Sequence, residues 1–528
     1  MTTTVRDATF DVLRDCGMDR IFANPGSTEI AFLTDLPEDL VFVLGLHEGS
    51  VVGMATGYAI ATGRPAFVNL HTTAGLGNAV GALATARVNR APLVVVVGQQ
   101  DRRHLALEPF LAGRLDGLAG SYPVWTHQPP RAQDVPGAIR RAWHEATQHG
   151  GPAIVVVPMD DWIADFDPDA ETATPRAAVR TGSDPARAVE ELLPLLERAT
   201  APVLVVGAGA DDEACWDALV ALAERIAAPV WQEAFGARAG FPQDHPQFAG
   251  HLPAGRSGLR STLVGHDLAL VVGTSAFRQY TYEPGRLVPE GLTVAVLSAD
   301  PDELHQSAAD LAVLADPAPV CAELARLLPG RARTETWRRE PVVEQPVEGR
   351  GLRATDVFAA LAKRLPSDTV VVEETPSSRP DLHALLPARQ PRGFVSAAMG
   401  GLGFGLPAAA GLRLGDPDRP VVALLGDGSS LYAIQGLWSA ARYACGVLFV
   451  VLANGRYAVM DQLAANHGGK PPWPAFEDVD IAGLAQSLNC PAMRVQTYPA
   501  LLAVLDEVVP GLAARTSPLL LEVTVSSG

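Results

Sequence analysis

The sequence predicts an α/β protein built from three doubly wound parallel-sheet domains, and two observations carry that expectation. Short uninterrupted apolar runs alternate with Ala-rich helical stretches: LVVVVG (93–98), AIVVVP (153–158), VLVVGAG (203–209), LALVVG (268–273), TVAVLSA (293–299), VVALLG (421–426) and VLFVVLAN (447–454). Runs that are continuous, where a half-exposed strand would alternate, belong to strands covered on both faces, as parallel sheets with helical crossovers are. Two polar, Pro-containing stretches, 165–185 and 333–351, break this rhythm and read as surface linkers. They divide 528 residues, too many for a single core, into segments 1–166, 184–335 and 350–528.

Composition narrows the function. A net charge of −18 argues against a nucleic-acid or anionic-membrane partner. No run of about 18 uncharged apolar residues exists, so no membrane-spanning helix is expected. The five cysteines are scattered singly, which suits buried thiols in a reducing compartment. The start of the chain, MTTTVRDATFDVLRDCG, has no apolar signal core, so a cytoplasmic location is expected. Only two of the 41 basic residues are lysines, Lys363 in a helix-like segment and Lys470 in a loop. Neither position favours Schiff-base chemistry, which needs a lysine in a prepared pocket.

The first and third segments read as copies of one another. PAFVNLHTTAGLGNAVGALATARVNRAPLVVVVGQ (65–99) aligns without a gap on PVVALLGDGSSLYAIQGLWSAARYACGVLFVVLAN (420–454), pairing Leu70 with Leu425 and Gly81 with Gly436. Ligands of open parallel sheets bind beyond the carboxyl ends of strands, and there the copies differ. The third segment has Gly426-Asp427-Gly428-Ser429 between a strand and a helix, with Asn454-Gly455 at the end of the next strand. The first has His71-Thr72-Thr73 and Gln99 at those places. Glycines and a helix N-terminus let backbone N–H groups approach phosphate oxygens. Asp427 and Asn454 offer two hard oxygens to Mg²⁺, whose octahedron two diphosphate oxygens, a backbone carbonyl and a water would complete. Gly-Asp-Gly alone is also an ordinary turn; the Asn-Gly pair 27 residues after the aspartate gives it meaning.

GDGS followed by that NG resembles the cofactor motif of thiamine diphosphate enzymes, and the order of pyrimidine, middle and diphosphate domains is similar. Along the whole chain, segments such as NPGSTEIAFLTDLPED, LHEGSVVGMATGYA, HLPAG and GGLGFGLPAA resemble the thiamine diphosphate-dependent 2-oxo acid decarboxylases, those of the benzoylformate type most. The resemblance implies non-oxidative decarboxylation of an aromatic 2-oxo acid to aldehyde and CO₂ through a cofactor carbanion/enamine. The alternative is a carboligase that passes the acyl group to a second carbonyl. It implies thiamine diphosphate with Mg²⁺, for which Ca²⁺ can substitute. It also implies a homodimer as the smallest active unit, and a homotetramer as the assembly.

Residue by residue, the resemblance makes Glu48 the glutamate that hydrogen-bonds a cofactor ring nitrogen. A carboxyl in a dry site can share a proton there and favour the imino form that deprotonates C2. Without the family, Glu48 would read as a helix N-terminal carboxylate. Ser27, in a turn where it also reads as an N-cap, matches a serine contacting the substrate carboxylate. His71 matches a proton-transfer histidine, and Leu402 an apolar wedge that bends the cofactor, or otherwise an ordinary core leucine. Gly400 would supply a carbonyl to the cofactor amino group. Ser377, Gly426, Gly428 and Ser429 would contact the cofactor, and the Arg456 backbone carbonyl would join Asp427 and Asn454 on the metal. Phe110, Leu111, Met460 and Leu463 fall on the apolar substrate walls. Tyr280, in FRQYTYEPG, stands where the family has a second active-site histidine. Glu374 falls on a matching glutamate and is assigned no catalytic role. GAGADDEA (207–214) only partly resembles a dinucleotide loop, so the middle segment reads as structural.

Overall fold

The computed structural model describes residues 3–167, 184–332, 336–339, 341, 346 and 351–526; most of both expected linkers lies outside the described residues. The apolar runs form three six-stranded sheets, and every strand pair in them is parallel. The N-terminal sheet contains β1 (Arg20–Asn24), β2 (Val41–Leu44), β3 (Ala66–Leu70), β4 (Leu93–Gln99), β5 (Trp125–His127) and β6 (Pro152–Pro158), in the order β2-β1-β3-β4-β6-β5. The middle sheet contains β7 (Pro202–Val206), β8 (Val230–Gln232), β9 (Phe248–His251), β10 (Leu268–Val272), β11 (Thr293–Ser298) and β12 (Leu311–Leu314), in the order β12-β11-β10-β7-β8-β9. The C-terminal sheet contains β13 (Val370–Glu374), β14 (Phe394–Ser396), β15 (Val421–Gly426), β16 (Leu448–Ala453), β17 (Ala492–Val495) and β18 (Leu519–Thr524), in the order β14-β13-β15-β16-β18-β17.

The first and third orders are the same, and β3 and β4 start at the positions that the gapless alignment pairs with the starts of β15 and β16. The copies differ in the helix that follows. Thr72–Val88 is one helix, whereas its counterpart is split into Asp427–Leu431 and Gly436–Arg442. At the break, Tyr432 packs closely on Gly403, where a Cβ would stand 2.9 Å from that of Tyr432. Central strands β3, β4, β6, β7 and β10 are buried along their whole length, which accounts for their unbroken apolar sequences. The strands at the sheet edges are short, three or four residues, and leave little unpaired backbone.

The helix that begins at Glu48 (Glu48–Thr62) is buried on nearly every face, which explains its glycine and alanine content. It crosses the helix Gly405–Gly415 at backbone contact distance. A Cβ on Gly57 would stand 2.0 Å from the Ala408 carbonyl oxygen, and one on Gly411 would stand 1.9 Å from that of Met54. The N- and C-terminal sheets consequently share one apolar core. The middle sheet has the strand order of dinucleotide-binding folds, but the N-terminal domain reaches into its strand-end crevice. Arg90 lies over Gly209, and Arg87 pairs with Asp300 at 3.0 Å.

Candidate active site

Glu48 sits at the first position of its helix with His47 as the cap, the imidazole Nδ1 accepting from the Gly49 N–H at 3.0 Å. The carboxylate is 8% exposed, and two amides hold it. Asn24 Nδ2 donates to Oε1 at 3.1 Å and Asn78 Nδ2 donates to Oε2 at 3.0 Å. Asn24 ends β1 and Asn78 lies on the Thr72–Val88 helix, so two crossovers converge on one buried acid. Each oxygen keeps a lone pair for a further partner.

His71 follows β3 and is held by a cluster that the sequence reading missed. Its Nδ1 lies 3.0 Å from Thr28 Oγ1 and 3.1 Å from Glu29 Oε2. Glu29 is buried and also accepts from the Gly26 N–H at 2.7 Å and from the Thr28 hydroxyl. Two glycines make room: a Cβ on Gly26 would strike the His71 ring, and one on Gly98 would strike Glu29. The expected N-cap role of Ser27 is not what the structure shows. Gly26 is the N-cap of the short helix Ser27–Glu29, the Glu29 carboxylate takes up its N–H, and Ser27 is left exposed.

The third sheet supplies the other half. Asp427 Oδ2 accepts N–H groups from Asn454 at 2.8 Å and Gly455 at 2.6 Å, and Oδ1 accepts from Gly428 at 2.7 Å. Burial pushes the Asp427 carboxyl above its usual range despite these donors. Among the described residues no side-chain cation is paired with it. A buried carboxylate without a counter-charge, the side-chain oxygen of Asn454, whose backbone N–H meets that carboxylate, and the Arg456 carbonyl two residues on suit a divalent ion completed by diphosphate oxygens. Described residues contain no group of three His, Cys, Asp or Glu side chains able to hold a metal alone, so phosphate oxygens would have to share the coordination. The Ser377 hydroxyl, exposed in the loop after β13, accepts from the Val459 N–H at 3.1 Å. Gly428 is required sterically, since a Cβ there would meet the Tyr457 ring at 2.6 Å.

Glu374 has a positional task that the sequence did not suggest. Its carboxylate accepts N–H groups from Gly403, at 2.6 Å, and Gly405. It therefore fixes the loop that carries Gly400 and Leu402. Burial outweighs those hydrogen bonds and pushes the carboxyl up to about 7. Gly400 has φ +69°, a left-handed conformation that favours glycine. Leu402 is half-buried and lines a cavity, so the structure decides against its being an ordinary core leucine.

That cavity, about 1010 Å³, contains Asp427, Asn454, Ser377, Gly400 and Leu402, with Gly426, Gly428, Ser429 and Arg456 also on its wall. Met460, Leu463 and Tyr280 line it as expected. Phe110, Leu111, Ser27, Glu48 and His71 do not; every lining residue belongs to the middle or C-terminal domain. Phe110 is 87% exposed. The structure thus brings together the residues expected to meet diphosphate and metal in one place, and Glu48 with its two amides in another, on separate copies of the fold.

The chain belongs to the thiamine pyrophosphate enzyme family. Its residues 3–119 match the N-terminal TPP binding domain, 189–324 the central domain and 377–523 the C-terminal TPP binding domain. It is 37% identical, over 98% of both chains, to benzoylformate decarboxylase of Pseudomonas aeruginosa. Two solved structures cover 99% of this chain and are themselves covered to 99%, each with a TM-score of 0.92. One is the thiamine diphosphate-dependent 4-hydroxybenzoylformate decarboxylase of Rhodococcus jostii RHA1, at 36% identity, and the other is benzoylformate decarboxylase of Polynucleobacter necessarius, at 34%.

Proposed function

We propose that this protein decarboxylates an aryl 2-oxo acid of the benzoylformate class to aldehyde and CO₂, using thiamine diphosphate and Mg²⁺, with Ca²⁺ as a substitute ion. The observation that carries this reading is the buried Asp427 carboxylate, tied to the Asn454 and Gly455 amides beside Leu402 in a cavity with apolar walls. End-to-end likeness to aryl 2-oxo acid decarboxylases supports the substrate class. Bound thiamine diphosphate supplies the electron sink that takes up the pair released with CO₂.

The protein's own contributions are binding, orientation and proton handling. Asp427, Asn454 and the Arg456 carbonyl hold the ion, while Ser377, Gly428 and Ser429 receive the diphosphate. Glu48, fixed by Asn24 and Asn78, holds or releases a proton for the pyrimidine ring. Glu374 sets the loop from which Gly400 offers a carbonyl and Leu402 an apolar wall. His71, oriented by Glu29 and Thr28, moves protons at the substrate, and Ser27 contacts its carboxylate. Met460 and Leu463 exclude water around the aryl ring, and Phe110, exposed in the single chain, and Leu111 would complete the apolar wall from a second copy.

With the two half-sites on different domains and none of the cavity contributed by the N-terminal one, two copies of the chain are the smallest active unit in this reading, and a homotetramer is the assembly. A cytoplasmic location is supported by five buried, unpaired cysteines; no described helix is long and apolar enough to cross a membrane. A second reading, acyloin formation, is favoured by Tyr280, since a phenol is a poor proton acceptor at neutral pH. A screen of 2-oxo acids with holoenzyme for CO₂, aldehyde and hydroxyketone tests both. The first reading expects free aldehyde from aryl substrates, and absence of CO₂ from all of them would overturn it.

A further inference from the structure

Two histidines outside the machinery above line the same cavity: His251, the last residue of β9, and His383, on the helix Arg379–Leu385. Their rings stack with centroids 3.7 Å apart and planes at 27°, and the Phe394 ring lies 5.3 Å from His383. The pair is connected to the reacting region on both sides. Ala254, three residues after His251, accepts the Tyr280 N–H at 3.2 Å. Phe394 opens β14, the strand that leads to Gly400, and the next residue but one, Ser396, donates its N–H to Ala237 of the middle domain at 2.9 Å.

Neither imidazole makes a hydrogen bond within the described chain, and His251 Nε2 is buried without a partner. Burial drives His383 down to about 3 and His251 well below the ordinary histidine range. Stacking and burial both favour the neutral form, in which each ring has one N–H and one lone-pair nitrogen. Burial disfavours the protonated form of both rings, which argues against general acid–base work by them and for a role in binding. Unpartnered neutral donors and acceptors in a largely apolar ligand cavity fix orientation and specificity instead. The neighbouring Arg379 is already paired with Glu373 at 2.9 Å, so no free charge invites an ionised substituent.

We propose that the stacked His251–His383 pair reads a hydroxyl group on the ring of the substrate, making hydroxylated aryl 2-oxo acids the preferred class. A phenolic hydroxyl donates to one imidazole nitrogen and accepts from another, satisfying groups that an unsubstituted ring would leave unpaired. The inference rests on the decarboxylase reading, and the test separates the two.

The experiment measures kcat/KM for CO₂ release from benzoylformate and its 4-hydroxy, 3-hydroxy and 4-methyl derivatives. It compares wild-type holoenzyme with His383→Phe, His251→Leu and His383→Gln. One hydroxyl derivative should be favoured over benzoylformate by about tenfold or more, the 4-methyl compound should not be, and the preference should fall toward unity in His383→Phe and His251→Leu. His383→Gln, which keeps a donor and an acceptor, should retain part of it. Inhibition by hydroxymandelate relative to mandelate should follow the same order, giving a binding readout independent of turnover. A wild-type enzyme that turns over benzoylformate without favouring either hydroxyl derivative overturns this inference and leaves the decarboxylase reading standing. So does a preference that survives both apolar substitutions. If a substituted chain loses cofactor, the wild-type ratio and His383→Gln decide. No CO₂ from any of the four acids overturns the underlying reading itself.

Discussion

The Glu29 carboxylate lies 3.1 Å from Nδ1 of His71, buried beneath it and held by the Gly26 N–H. A carboxylate in that place makes Nδ1 the donor and leaves Nε2 free to face substrate. Glu29→Ala should therefore lower kcat by about tenfold to a hundredfold, a fraction of what acid–base catalysis contributes. Cofactor affinity should be unchanged, because Glu29 touches neither Glu48 nor Asp427. Steady-state kinetics beside a thiamine diphosphate titration checks this; unchanged kcat would remove His71 from proton transfer or Glu29 from its support.

Asp427 is the only charged ligand proposed for the ion and also ties the Asn454–Gly455 turn. Asp427→Ala should abolish Mg²⁺-dependent cofactor retention, raising the thiamine diphosphate Kd by about a hundredfold or more. Calorimetric titration with and without Mg²⁺ is the measurement. Normal affinity in the variant would mean that the ion binds elsewhere.

Glu48→Gln should fold, since the amide still accepts from one of Asn24 and Asn78. Exchange of the bound cofactor's C2 proton into deuterated water should slow by about a hundredfold or more, followed by NMR after acid quench. Exchange at the wild-type rate would rule out the role assigned to Glu48.

Glu374 titrates at about 7 in the folded chain, against an ordinary value of 4.5, because burial outweighs its backbone hydrogen bonds. Between those values the native state holds a proton that the unfolded chain has released. Stability from this group therefore falls as pH rises from about 4.5 to about 7 and is level above that. In Glu374→Gln this component disappears, so the difference in urea midpoint between pH 5 and pH 8 should be smaller than in wild type. An identical pH dependence in the two proteins would contradict the assignment.

Tyr280 lines the cavity at the position where the resemblance implies a second histidine, and it is 67% exposed. Loss of CO₂ should survive this replacement, while protonation of the carbon that lost CO₂ should be slow. Tyr280→His should speed aldehyde release and lower the acyloin fraction formed when acceptor aldehyde is present, as product analysis by chromatography would register. If both stay unchanged, Tyr280 serves only as a wall.

The three sheets, their parallel sense and the kinship of the outer two are legible in the order of amino acids, because a strand buried on both faces has to be apolar throughout. The strand β4 shows the rule: it opens on Leu93 and stays buried to Gln99. The proposed site at Asp427 and Asn454 is suggested by the sequence for a related reason, since a backbone that must approach phosphate needs glycine at fixed places beside the acid. Contacts between remote segments arise only on folding. Nothing local in sequence says that Asn78 meets Glu48, that Glu29 lies under His71, or that Glu374 holds the Gly403 loop, since these pairs are joined by crossovers from different strands. His251 and His383 come from different domains, and only domain packing stacks their rings. Burial, which sets the charge of Glu374 and of both histidines, is a property of the packed neighbours and not of the residue type.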